Sequence, residues 1–230
     1  MSDLQQFEQQ LGVIFSKKEI LKQAMVHRSY LNENPHLGLD HNERLEFLGD
    51  AVLELVVTES LYEQFPQKPE GELTALRAAL VNAETLSDIA HRLNFNGFLL
   101  LSRGEAKDVG RARRYILANA FEAVIGAIYL DQGYAVVADF VRRSVLTELP
   151  AVIKEKRWRD PKSLFQEEAQ ARIGVTPTYQ VMRERGPDHD KHFVVGVFIN
   201  EDSIAEGEGP SKQEAEIDAA RAGLRNKQWL

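Results

Sequence analysis

Four carboxylates, Glu43, Glu46, Asp50 and Glu54, recur at intervals of three and four residues. An α-helix turns about 100° per residue, so this spacing puts them on one stripe. The positions around them are mostly apolar, with Leu45, Phe47, Leu48, Val52, Leu53, Leu55 and Val56 covering the rest of the surface. A helix that is apolar nearly all round is expected to be buried. Like charges four residues apart repel, and burial sharpens the repulsion. Arg44 is the one basic residue of the segment and projects about 100° off the stripe. A hard divalent cation such as Mg²⁺ would balance the stripe, because it takes oxygen ligands. The alternative is a solvated acidic face with ordinary Lys or Arg neighbours.

A second stretch, from Ile116 to Leu130, is small and apolar throughout, and Asn119 and Glu122 are its strongly polar interior residues. Three residues apart, they share one side of a helix. They suit a buried, hydrogen-bonded pair inside a bundle. They equally suit the second half of an oxygen-only metal site, in which Glu46, Asp50, Glu122 and the Asn119 carbonyl would bind Mg²⁺ or Mn²⁺.

Two periodic regimes position these residues. Residues 1–149 read as successive helices: Ser16 precedes one at 17–26, Pro66 and Pro69 precede one at 72–93, Gly110 precedes one at 114–130, and Gly133-Tyr134 turns into one at 135–148. The segment 32–41 is polar, contains Gly and Pro, and reads as an exposed loop. Leu149-Pro150, the basic run from Lys154 to Arg159 and Asp160-Pro161 mark a junction, which assigns 150–159 to a linker. Beyond it comes a helix at 162–172, then alternating strands at 178–185 and 193–199 around a Gly186-Pro187 turn. A third strand at 203–209 and an Ala-rich helix from Pro210-Ser211 to about 226 follow. The expected architecture is a mainly α N-terminal domain (1–149) and a small α+β domain of order α-β-β-β-α (160–230).

Composition narrows the classes. The 230 residues are 43% hydrophobic and 27% charged, ordinary for a globular chain. No cysteine is present, which removes disulfide and thiolate-metal chemistry and fits a reducing compartment. No apolar run reaches the roughly 20 residues of a membrane span, and the N-terminal residues lack the pattern of a signal peptide, so the expected location is the cytoplasm. The formal net charge of −7 has the wrong sign for a simple nucleic-acid binder, and both expected domains are acidic. Any RNA affinity would have to come from local positive surface, be modest, and fall steeply with salt. The densest basic cluster, Lys107, Arg111, Arg113 and Arg114, directly precedes the Asn119/Glu122 helix; it reads as phosphate steering or as a solvated loop.

The run from Asn42 to Asp50 (Asn-Glu-Arg-Leu-Glu-Phe-Leu-Gly-Asp) resembles the signature of the bacterial ribonuclease III family. Ala24–Tyr30 resembles the family's His-Arg-Ser opening helix, with His27 and Arg28 expected to organise the helical core. Glu70–Thr74 with Leu76–Val81, then Gly104-Glu105, Lys107 and Arg113-Arg114, resemble later family segments. The part after the junction is similar to a double-stranded-RNA-binding domain. The resemblance implies a homodimeric endoribonuclease. It would hydrolyse duplex RNA with metal-activated water, leave 5′-phosphates and short 3′ overhangs, and act in RNA processing and maturation of ribosomal and messenger RNA. Glu46, Asp50 and Glu122 would be ligands, with Asn119 a weaker one; Glu43, Glu70 and Glu105 would act outside the metal's immediate ligands. The signature helix, with its broad apolar surface, would be the dimer face. Duplex contacts would come from Gln166 and Glu167, from Pro187, Asp188 and His189, and from Ser211 and Lys212. Two departures stand out. The family usually has Asp where this chain has Asn119, and it clusters lysines where this chain has Lys212, Gln213, Glu214 and Glu216. The first leaves open a duplex-RNA-binding protein that has lost cleavage. A helical interaction protein with structural acidic stripes is the remaining class.

Overall fold

The computed structural model describes residues 3–187 and 191–229. The chain divides into two units, Met1–Val152 and Ile153–Leu230.

The first unit is helical: α1 (Asp3–Leu11), α2 (Lys18–Ala24), α3 (Arg28–Glu33), α4 (Glu43–Gln64), α5 (Glu70–Val81), α6 (Ala83–Arg92), α7 (Arg111–Gln132) and α8 (Tyr134–Ser144). The division between units falls within α9 (Leu149–Lys154). Helix α7 is the spine of the first unit. From Ile116 to Ile128 only Asn119 and Glu122 escape full burial. Phe121 continues a row of rings through Phe7, Phe95 and Phe140, with centroid spacings of 5.0 to 5.8 Å. Rings in such tilted and edge-on contacts add to the gain from burial.

The helix expected at 72–93 is two helices. Asn82 breaks the run by capping the second: its side chain accepts from Thr85 N at 2.9 Å and donates to the carbonyls of Ala78 and Ala79. The apolar period runs on across the break, so periodicity alone did not reveal it. The segment 32–41, expected as a loop, includes the end of α3 and a 3₁₀ turn at Pro35–Leu37. Leu149–Lys154, expected around the junction, is helical, with Pro150 in the first turn where its missing N–H costs nothing.

Expected burial of the signature helix holds for one side of it. Leu45, Val52, Leu53, Val56, Val57 and Leu61 are buried, whereas Phe47 is 82% exposed, Leu55 56% and Tyr62 74%. Phe47, Leu55 and Tyr62 lie on the side turned away from the unit's own core.

The second unit follows the order α10 (Pro161–Ile173), β1 (Thr178–Arg185), β2 (His192–Ile199), β3 (Asp202–Gly209), α11 (Lys212–Asn226). The strands form one antiparallel sheet in sequence order, with an irregularity at Met182 where the β1–β2 register shifts. Side chains alternate along β2, and Val197 and Ile199 pack with Leu164, Phe165, Ala219, Leu224 and Trp229 in a core under the helices. The fold is therefore mainly α followed by α-β-β-β-α, as the sequence implies.

Candidate active site

Two glycines set the geometry. Helices α4 and α7 cross so closely that a Cβ on Gly49 would stand 1.8 Å from the Glu122 carbonyl oxygen, and one on Gly126 would stand 2.3 Å from that of Leu45. Glycine in a helix interior costs stability relative to alanine, and it is used here for close backbone approach. The crossing brings one turn of α4, carrying Glu46 and Asp50, against one turn of α7, carrying Asn119 and Glu122. The apolar pattern does not single out Gly49 or Gly126. Their placement inside two otherwise strong helices is the signal that the sequence offers for them.

The electrostatics follow. Burial pushes the Glu122 carboxyl up to about 8, and the charges of Asp50 and Glu46 add to the rise. Glu46 is also raised, first by burial, then by Glu43 and Asp50, while the side-chain amide of Asn119 donates to it and pulls the other way. Among the described residues, no cationic group figures among those acting on either carboxyl. Three carboxylates and an amide thus share a half-buried place with a surplus of negative charge. That donor set is all oxygen, and it fits a hard divalent cation. Among the described residues no three Asp, Glu, His or Cys side chains are gathered tightly enough to close round an ion as they stand. The uncompensated charge, and not a ready-made ligand cage, is what speaks for a cation.

Other expected residues lie apart from this core. Glu43, in the first turn of α4, is engaged by Arg28 at 3.3 Å and His41 at 3.8 Å. Arg28 is accordingly an exposed partner of the acidic stripe, not an organiser of the core. His27 does organise structure. Its Nδ1 accepts from Ser29 N at 3.3 Å at the start of α3, and burial lowers its pKa against the pull of Glu105 and Glu43. Glu70 begins α5, exposed, where its carboxylate accepts from the Thr74 hydroxyl at 2.8 Å. Neither Glu54 nor Glu70 is among the groups acting on Glu46 or Glu122. Lys107 ends an exposed 3₁₀ turn before α7. Asn42, beyond the expected set, is buried and ties the start of α4 to α2 by donating to the Ala24 carbonyl at 3.2 Å.

In the second unit Gln166 and Glu167 are exposed on α10, and Glu167 takes two hydrogen bonds from Arg159, at 2.7 and 2.8 Å. Pro187 is exposed two residues beyond β1. Asp188 and His189 lie outside the described residues. Ser211 caps α11, its hydroxyl accepting from Glu214 N at 3.2 Å, with Lys212 the first helical residue.

Comparison with known proteins gives the family. The model of the family described as Ribonuclease-III-like matches residues 17–149, and that of the double-stranded RNA binding motif matches 161–227. The chain is 42% identical to ribonuclease 3 of a Nitratiruptor species over 225 residues, covering 98% of this chain and 97% of the relative. It is 46% identical over 217 residues to ribonuclease 3 of Carboxydothermus hydrogenoformans, covering 94% of this chain and 92% of that one. Among solved structures, the nuclease domain of ribonuclease III from Campylobacter jejuni superposes with a TM-score of 0.58 at 40% identity, covering 64% of this chain and 99% of that chain. Its Ribonuclease-III-like segment and its RNA-binding motif, in that order and over nearly the whole length, place this chain in the ribonuclease III family.

Proposed function

We propose that this protein is an endoribonuclease that hydrolyses phosphodiester bonds of double-stranded RNA with the help of divalent metal ions, Mg²⁺ or Mn²⁺. The observation that carries the metal reading is the glycine-paired crossing of α4 and α7, which masses Glu46, Asp50 and Glu122 with no balancing side-chain cation among the described residues. These three carboxylates would hold the ion, with Asn119 beside them. When bound, such an ion acidifies water and neutralises charge developing on the phosphate oxygens.

The chain's own residues prepare the rest. The Asn119 amide keeps one donor on Glu46 and so fixes the carboxylate that faces the second helix. Glu43, held by Arg28 and His41, stands beside Glu46 as an outer acidic group that orders water or RNA. Lys107, ahead of α7, and Arg114, in its first turn, are exposed and offer positive charge to the phosphates of an approaching strand. The small unit supplies duplex recognition by shape, through its two helices and strand turn. We further propose a two-fold dimer, which would present two sites to the two antiparallel strands. The exposed row Phe47, Leu55 and Tyr62 supports it, because such apolar surface is a liability in a monomer. The Campylobacter relative was described for flexibility in a region involved in dimer formation. The products carry 5′-phosphates and short 3′ overhangs, the substrates include precursors of ribosomal and messenger RNA, and the location is the cytoplasm. The absence of cysteine agrees with that compartment. Among the described residues, no helix is long and apolar enough to cross a membrane.

The test is cleavage of a long, perfect RNA duplex at low salt with Mg²⁺, with Mn²⁺ and with chelator, alongside Glu122→Ala and Asn119→Asp. Metal-dependent cutting that Glu122→Ala removes is the expected result. A silent wild type beside an active Asn119→Asp would make this a duplex-binding protein with a disabled site. Silence from both would overturn the mechanism.

A further inference from the structure

Lys212 is the one basic residue in the first turn of α11, between Ser211 and Gln213, Glu214 and Glu216. Its Nζ lies 3.6 Å from the Glu184 carboxylate of β1, and 5.6 Å from the centre of the Phe193 ring. The same habit recurs nearby. Lys162 pairs with Glu216 at 2.5 Å, and Arg159 with Glu167 at 2.7 Å. These cations at the starts of the two helices are already answered by carboxylates of their own chain.

The three pairs are not alike. Lys162 also lies over the Tyr179 ring at 4.9 Å and its pair is the more buried one, 36% and 28% exposed, so it belongs to the packing of α10 against the sheet. The Lys212–Glu184 pair is longer and open to water on both sides, Lys212 being 59% and Glu184 45% exposed. A loose, exposed pair exchanges partners easily. A phosphate reaching Lys212 meets the positive end of α11 and a flexible ammonium, but it also meets a carboxylate that has to leave or be tolerated.

We propose that Glu184 competes with RNA phosphates for Lys212 and so holds down the affinity of the small unit for duplex RNA. This rests on the duplex-RNA function proposed above. In it Glu184 is a positioning residue, and its effect runs through Lys212. Removing Glu184 frees Lys212 for the phosphate and also lifts a local repulsion. Only the first of these gains disappears when Lys212 is itself removed.

The experiment is binding of the full chain to a perfect RNA duplex of about 30 base pairs, longer than the roughly 16 that such a domain spans. Chelator prevents cutting, and fluorescence anisotropy is read at several salt concentrations. Wild type, Glu184→Gln, Lys212→Ala and the double variant complete a cycle, with thermal unfolding of each as a check on folding. The expected result is a gain of about two- to fivefold for Glu184→Gln at low salt, as befits an exposed pair. A steeper salt dependence should accompany it, and the gain should shrink clearly in the Lys212→Ala background, leaving only the part due to lifted repulsion. An unchanged affinity for a folded Glu184→Gln, or a gain of equal size with and without Lys212, overturns the proposal. A folded wild type that binds no duplex at all would instead overturn the RNA function on which the proposal stands.

Discussion

Among the described residues of the nuclease unit, Glu122 is a carboxyl under strong electrostatic pressure. Its carboxyl is pushed from 4.5 to about 8 by burial and by the charges of Asp50 and Glu46, so the folded chain holds a proton there that the unfolded chain has released. Wherever the folded state binds the extra proton, stability falls as pH rises. In chelator the melting temperature should therefore fall between about pH 5 and pH 8, by no more than about 1.4 kcal/mol of stability per pH unit from this group. Glu122→Gln, which keeps the shape without the charge, should flatten that slope; an equally steep slope in the variant would remove Glu122 as its cause. Added Mg²⁺ should raise the melting temperature more at pH 8 than at pH 5, since the ion takes up the charge the proton otherwise covers. Asn119→Asp adds a fourth carboxylate, so it should strengthen this stabilisation by Mg²⁺ and leave the chelated protein less stable at high pH. Thermal scans with and without the ion would read both effects. At this scale much was legible in the sequence. Helix-face arithmetic picked out Glu46, Asp50, Asn119 and Glu122, and α4 and α7 bring them together. The Arg28–Glu43 pair escaped it, because it joins two helices across a loop, and a face diagram describes one helix at a time.

The elements explain how the site keeps its shape. Gly49 and Gly126 let two helices of 22 residues each meet backbone to backbone, and no side chain can take their place without moving a helix. Gly49→Ala should cost about 3 kcal/mol or more, beyond the usual overpacking penalty, because the obstacle is main chain. Denaturant unfolding would measure it, and a loss below about 1 kcal/mol would show that the crossing relaxes easily. Asn82→Ala should cost about 1 kcal/mol by loss of the α6 cap, with little effect on the site, since Asn82 lies at the α5–α6 corner. The same two places show where the sequence was opaque. Asn82 interrupts an unbroken apolar period, so its cap could be recognised only once the turn was known. The close approach at Gly49 depends on a partner 77 positions later in the chain, at Gly126, and no local pattern carries that information. Element order and type in the second unit were legible, because β3 alternates, β2 is a short apolar run, and Gly174, Gly186-Pro187 and Pro210 mark three of the four connections.

Over the whole molecule, charge and apolar surface pull in different directions. The chain is an endoribonuclease of double-stranded RNA with a formal charge of −7, so its attraction to a polyanion comes from a few local cations. Duplex binding should accordingly weaken by orders of magnitude between about 50 and 200 mM salt if several phosphates are contacted, and a nearly flat dependence would argue for a different kind of recognition. The exposed row on α4 makes a separate prediction. Phe47→Asp should leave a folded species sedimenting at 26.0 kDa that still binds duplex yet no longer cuts both strands together; a sedimentation profile unchanged from wild type would rule out this row as the assembly surface. The crossing of α4 and α7 has one further consequence. Because main-chain contact at two glycines fixes the spacing, the acidic side chains hang from the frame without holding it together. Their identities are then free to drift, or to be redesigned, while the frame stays put. Asn119→Asp is one such exchange, and a variant set built on this backbone could be screened for ions of other sizes and charges without redesigning the fold.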